Sequence, residues 1–349
     1  MTLLQIDWFF AAEKLILIAA VITGALIIAM YSTYAERKVA AVIQDRRGPN
    51  RAGPFGLLQP LADGLKLFFK EEIIPTHANK LLFVLGPSLA MLTAMMTSAV
   101  IPWGSKLELF GRTIELQIAD INIGILYVFG VVSLGVYGIL IGAWSSNNKF
   151  SLLGGLRGAS QIISYELAMG ISLIALLMVT GTLSLKEMVE QQQNGHWNIV
   201  KQPLGFLIFL VCAFAECNRT PFDLPESENE LNCGYHGEYS SMKLGFYLFA
   251  EYINMFISGA IMASLYFGGY DIPFINEATL SVNTAAGLGA VALLVKTTLF
   301  IFLFMWVRWT IPRFRYDQLM RLGWKTLIPL SLLNMFITGA LILWRSKSN

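Results

Sequence analysis

Three glutamates and one lysine stand in or at the ends of long apolar runs, where an unpaired charge is costly and where ionisable residues mark ion pathways. Glu166 lies seven residues into the run that starts at Ala159, and Glu251 lies seven residues into the run that starts at Leu244. At about 1.5 Å per residue, both carboxylates lie roughly 10 Å from the same face. Glu216 ends another run at that face, and Lys296 falls near the middle of a further one. A short carboxylate cannot snorkel from such a depth, whereas a lysine stem can. The three acids therefore read as a hydrated polar path opening toward one face, the arrangement proton translocation needs. Lys296 reads equally as a packing residue.

A second concentration of acid follows the fifth run. The stretch Glu216-Cys-Asn-Arg-Thr-Pro-Phe-Asp223-Leu-Pro-Glu226-Ser-Glu228-Asn-Glu230 places five carboxylates in fifteen residues with a single arginine. If extended, Glu226, Glu228 and Glu230 share a face; if helical, they spread around it, with Glu226 and Glu230 aligned. No EF-hand spacing or histidine ligand pattern accompanies them, so no metal site is expected. Two prolines and the embedded Phe222 and Leu224 predict that this loop folds against something. A third feature is the segment from Pro54 to Glu72. Leu58, Leu61, Leu65, Phe68 and Phe69 form one helical face and Gln59, Asp63, Lys66 and Lys70 the other, the pattern of an amphipathic helix at a membrane surface. Pro60 must then fall in its first turn.

The elements that carry these residues follow from composition. The 349 residues are 55% apolar and 14% charged, with a formal net charge of +2, and mean hydropathy is +0.59. Against about 25% charged residues in ordinary soluble domains, this excludes a soluble enzyme, a disordered chain and a nucleic-acid binder. Apolar runs predict an all-α polytopic membrane bundle of eight spans: 14–34, 81–101, 121–144, 159–181, 204–215, 244–267, 285–307 and 327–344. The fifth is short enough to be tilted, interrupted or re-entrant. Lys and Arg number seventeen in the odd loops and four in the even ones. Loops one, three, five and seven are therefore expected in the cytoplasm (or its organellar equivalent), with both termini outside. No linker, repeat or removable leader is evident, so residues 1–349 read as one integral membrane domain. The three cysteines lack disulfide or cluster spacing, and there is no dinucleotide fingerprint.

Several motifs together resemble a known family. They are Glu36-Arg-Lys38, Arg46-Arg-Gly-Pro-Asn50, Gly56-Leu-Leu-Gln-Pro-Leu-Ala-Asp63, Ser164-Tyr-Glu166, Ala215-Glu-Cys-Asn-Arg-Thr-Pro-Phe-Asp-Leu-Pro-Glu226 and Pro312-Arg-Phe-Arg-Tyr-Asp-Gln-Leu-Met320. In order and over nearly the whole chain, they are similar to the H subunit of proton-pumping NADH:quinone oxidoreductase, respiratory complex I, whose mitochondrial counterpart is subunit 1. Cys217 stands where the family usually has Thr, and Asn229 where a small residue is common; neither change removes an ionisable group.

The resemblance implies a heel subunit, in a bacterial cytoplasmic (inner) membrane. It would share a quinone tunnel with soluble subunits of the hydrophilic arm, one of which carries the terminal iron–sulfur cluster. Quinone would enter from the lipid near the surface helix. FMN and the iron–sulfur clusters would belong to partner subunits, so this chain would bind no cofactor and supply no catalytic residue. Small and antiporter-like membrane subunits are the other implied partners. By position, Glu36, Arg37, Arg46, Asp63 and Arg308 correspond to tunnel or entrance residues. Glu166, Glu216, Asp223, Glu226, Glu228, Glu230 and Glu251 correspond to the acidic path that couples quinone reduction to proton movement. Two rivals stay open. One is a related anchor subunit of a membrane-bound hydrogenase; the other is a free-standing ion-coupled transporter, against which the lack of repeats weighs.

Overall fold

The computed structural model describes residues 8–109, 111–193, 195–273 and 281–348. Its helices are α1 (Trp8–Ile43), α2 (Gln59–Phe69), α3 (Lys80–Thr97), α4 (Gly124–Ser145), α5 (Lys149–Thr180), α6 (Leu185–Gln193), α7 (Asn198–Lys201), α8 (Pro203–Glu216), α9 (Glu228–Leu231), α10 (Ser241–Tyr266), α11 (Val282–Thr310), α12 (Tyr316–Arg321) and α13 (Ile328–Ser348). Among the described residues, seven helical segments are long and apolar enough to cross a membrane, and α8 is a shorter apolar helix of fourteen residues. The eight expected apolar segments are therefore all helical. The last runs from α12 through a π turn (Leu322–Leu327) into α13.

Several helices outrun their apolar cores. α1 continues beyond Tyr34 to Ile43, which places Glu36 and Arg37 on a helix rather than in a loop. α5 begins ten residues before Ala159, and its added turns bury Ser151, Gly154, Gly155 and Gly158 against protein. Such small and polar residues carry no lipid signature, so a search for apolar runs misses them. Side-chain caps fix the starts: Asn79 accepts from the backbone N–H groups of Leu81 and Leu82, and Asn148 from Phe150. These satisfy donors that a helix start leaves unpaired.

α10 lies at the centre, packed against α1, α3 and α11 and buried along most of its length. Close backbone approach is built into the α3–α4 contact. A Cβ on Gly86 would come within 2.7 Å of the Gly142 Cα, the small-residue packing that membrane helices use in place of hydrophobic drive. The all-α expectation misses one local element, an antiparallel hairpin pairing Lys106–Leu109 with Arg112–Glu115 and turning through Gly111 at φ 74°.

α2 is the expected amphipathic helix, with Pro60 in its first turn. Its apolar side chains Leu61, Leu65, Phe68 and Phe69 are exposed. Its polar edge is tied to α1 by an Arg37–Asp63 ion pair of 2.7 Å. The loop after α8 is folded inward as expected, with Phe222 and Leu224 both 4% exposed.

Candidate functional site

Glu36 is buried near the end of α1 and is bracketed by cations from two other parts of the chain. Its Oε1 lies 2.5 Å from Arg308 Nη1 of α11. Its Oε2 accepts from the Tyr252 hydroxyl of α10 at 2.8 Å and from Arg219 Nη1 at 3.4 Å. Arg219 continues the chain of charges. Its guanidinium stacks over the Tyr252 ring, 4.1 Å from the centroid, and its Nη2 lies 3.6 Å from Glu251 Oε2. Burial works against the Arg219 charge, but the Tyr252, Glu36 and Glu251 oxygens outweigh it and hold its pKa well above the ordinary value.

Beyond Arg219 the network becomes acidic. The Tyr235 hydroxyl donates to Glu251 Oε1 at 3.2 Å, and burial, then the charges of Glu251 and Glu226, push this phenol well up. Tyr235 therefore keeps its proton. Glu226 and Asp223 both act electrostatically on Glu251. His236 Nδ1 lies 3.7 Å from Glu226 Oε1.

Glu251 and Glu216 both line an internal cavity between α3, α4, α5, α8 and α10, together with Asn218, Asn254 and Tyr235, with mostly apolar side chains elsewhere. One carboxylate oxygen of Glu216 is buried with no hydrogen-bond partner among the described residues. Glu166 interacts electrostatically with Glu216 across the α5–α8 contact, and the Ser133 hydroxyl of α4 donates to it at 3.0 Å.

The loop that carries Arg219 is held by backbone-directed bonds. The buried Gln161 amide of α5 donates to the Ala215 and Phe222 carbonyls at 2.9 and 2.7 Å. Phe222 packs edge-on against Tyr165, and Thr220–Pro221 is a cis peptide. Gly234 (φ +59°) passes so close to Pro225 that a Cβ there would stand 1.7 Å from the Pro225 carbonyl oxygen. Both constraints demand glycine. Asp223, almost wholly buried, accepts from Arg313 at 2.6 Å.

The match to the NADH dehydrogenase family covers residues 15–339. An NADH-quinone oxidoreductase H subunit of Cytophaga hutchinsonii is 68% identical over 97% of this chain and 99% of its own length. The corresponding H subunit of Flavobacterium johnsoniae is 64% identical over 96% of each chain. One from Geobacter metallireducens is 47% identical over 99% of this chain and 100% of its own. The chain belongs to the H subunit family of NADH-quinone oxidoreductase. As a member of that family it is a non-autonomous membrane part of an oxidoreductase complex, complex I.

Within this H subunit, the structure redistributes the residues singled out in the sequence. Glu36 and Arg308 meet directly, and Arg37 meets Asp63. Arg46 lies apart from them, exposed, donating to Gln44 at 2.7 Å. Glu166, Glu216, Glu226 and Glu251 form one neighbourhood. Asp223 pairs with Arg313 and also acts electrostatically on Glu251, while Glu230 turns outward to Arg157 at 2.5 Å. Glu226 and Glu230 are therefore not aligned; the short helix starts at Glu228 and carries Glu230 but not Glu226. The Glu228 side chain lies outside the described residues. Among the described residues no group of three or more His, Cys, Asp or Glu side chains is arranged to hold a metal ion.

Sequence reasoning missed Arg219, Tyr235 and Tyr252. The available signal for Arg219 was its position as the lone cation in the acid-rich stretch.

Proposed function

We propose that this chain, acting as one integral membrane domain over residues 1–349, forms much of the quinone-access tunnel at the junction with the hydrophilic arm. It couples quinone reduction to proton translocation through its buried acids. The observation that carries the reading is the charge network Arg308–Glu36–Arg219–Glu251, with Glu226 beside Glu251. It joins the edge of the surface helix α2, through neighbouring Arg37 and Asp63, to the acid-lined cavity within the bundle. Electrons reach quinone from partner subunits that hold FMN and iron–sulfur clusters, and this chain contributes no redox centre. The apolar face of α2 lies in the lipid surface, where a quinone tail partitions. A negative charge or a proton uptake at the headgroup perturbs Glu36 and its cations. The network passes that change toward Glu251, Glu216 and Glu166, and from there to antiporter-like membrane subunits.

The distribution of Lys and Arg supports loops one, three, five and seven in the cytoplasm of a bacterial cell, against the soluble subunits, with both termini outside. The polar ends of α1 and α8 that meet near Arg219 then lie toward that same side.

The test is rotenone- or piericidin-sensitive NADH:quinone reductase activity and proton pumping in native membranes, wild type against Glu216→Gln, with assembly checked by native gel. Coupled turnover is expected to be abolished in a fully assembled complex, while electron transfer from NADH to artificial acceptors in the soluble arm continues. Undiminished turnover and pumping would reduce the acids to structural solvation.

A further inference from the structure

Arg219 is 5% exposed, yet it is poorly satisfied. Its Nε and Nη2 have no hydrogen-bond partner among the described residues, and its contacts to Glu36 and Glu251 stand at 3.4 and 3.6 Å. Charged hydrogen bonds usually close to about 2.7–2.9 Å, and a buried polar group left unpaired asks for an explanation. Arg308 and the Tyr252 hydroxyl already satisfy Glu36 at 2.5 and 2.8 Å. Glu251 already accepts from Tyr235 at 3.2 Å. Neither acid has captured Arg219, and the guanidinium lies flat on the Tyr252 ring between them. A flat aromatic face attracts the cation without fixing its position in the plane.

We propose that Arg219 is a positioning residue that exchanges between Glu36 and Glu251, so that the ionisation of one acid sets the pairing of the other. When Glu251 is neutral, Arg219 closes on Glu36 and competes with Arg308 for it. When Glu251 is charged, Arg219 closes on Glu251 and leaves Glu36 to Arg308 and Tyr252. The groups facing this exchange are Glu36 on α1, Arg308 on α11, Glu251 and Tyr252 on α10, and Cys217, Asp223, Glu226 and Tyr235 in the loop. Linkage makes the influence mutual: whatever a quinone does to the Glu36 side, protons on the Glu251 side do in return.

The inference rests on the quinone-tunnel and proton-path reading above, and the experiment separates the two. In inverted membrane vesicles carrying the whole complex, NADH:quinone turnover, quinone KM and protons pumped per NADH are measured for Glu36→Gln, Glu251→Gln and the double variant, with native Arg219. The exchange predicts non-additivity of at least threefold in KM or turnover. Additive effects would overturn it. Arg219→Lys keeps the charge but replaces the planar guanidinium that lies on the Tyr252 ring with a compact ammonium that lacks the fork reaching toward both acids. The expected result is a fall of at least twofold in protons per NADH, with a shifted pH profile. An unchanged ratio and profile would overturn the exchange, and the cycle still decides if the lysine variant fails to assemble. If neither single glutamine variant alters turnover, KM or pumping, the functional reading itself falls.

Discussion

Two cations within the helical bundle, Lys296 and Arg219, are treated in opposite ways. Lys296, halfway along α11, donates to the carbonyls of Phe267, Gly269 and Asp271 at 2.8, 2.9 and 2.6 Å. It also sits 4.8 Å from the centroid of the Trp197 ring, while Trp197 itself donates to Asp271 at 2.8 Å. Its acceptors are backbone atoms of the turn after α10, which do not titrate. Arg219 is more deeply buried, has more donors, and faces ionisable acids at longer range. A cation held by three backbone carbonyls acts as a fastener, because those acceptors do not change with pH. A cation suspended between two acids answers to their protons. Of the two, only Lys296 sits in an apolar run and announces itself in the sequence.

The contrast can be broken by measuring stability. Lys296→Met removes three charge-assisted bonds and leaves their carbonyls facing apolar side chains. It should cost on the order of 3 kcal/mol, seen as a lower thermal midpoint of the purified complex, with turnover per assembled complex retained. Loss of pumping without loss of stability would reverse the assignment. Arg219→Met should cost about 1 kcal/mol or less, despite the deeper burial, because Glu36 keeps Arg308 and Glu251 can take up a proton rather than stay charged. A loss matching that of Lys296→Met would show that Arg219 is a fastener too.

The smallest effect belongs to a third cation, Lys186 of α6, which pairs with Glu115 at 2.8 Å and Asp120 at 3.2 Å beside the hairpin. These carboxylates are well exposed, so Lys186→Met should cost about 0.5 kcal/mol. The bond to Lys186 is the main cause holding the Glu115 pKa below its ordinary value. A lowered carboxylate pKa stabilises above the unfolded value and loses that contribution as pH falls through the folded one. The stability gap between wild type and Lys186→Met should therefore narrow from neutral pH to about pH 4. A gap that widens in acid would contradict the pairing.

Much of this was legible in the sequence, for identifiable reasons. Apolar runs are long-range averages, so eight helical segments and the surface helix with Pro60 in its first turn could be read directly. Acids in apolar runs are individually conspicuous, which is why Glu166, Glu216 and Glu251 could be singled out. The network that joins them could not be. Glu36, Arg219, Glu251 and Arg308 come from four separate parts of the chain, and their contacts depend on how α1, α10 and α11 cross. The start of α5 was hidden because Gly154 and Gly158 are chosen for close approach to the Pro225 turn, not for lipid. The hairpin at Lys106–Glu115 escaped because four-residue strands leave too little periodicity to register.

One consequence of the short helix α8 extends to the voltage across the membrane. Fourteen residues make about 21 Å of helix, against an apolar layer about 30 Å thick. The difference is a hydrophobic mismatch, and here it is absorbed by protein rather than by thinned lipid. Asn198 and Gln202 are buried before the helix, and Asn218 and Arg219 after it, so polar groups occupy membrane depth without touching acyl chains. The electric field across the membrane then concentrates over the shorter apolar stretch between those polar ends. On the proposed proton path, a proton reaching Glu216 would have covered part of the bilayer thickness at little electrical cost, leaving most of the work against the membrane potential to the remaining step.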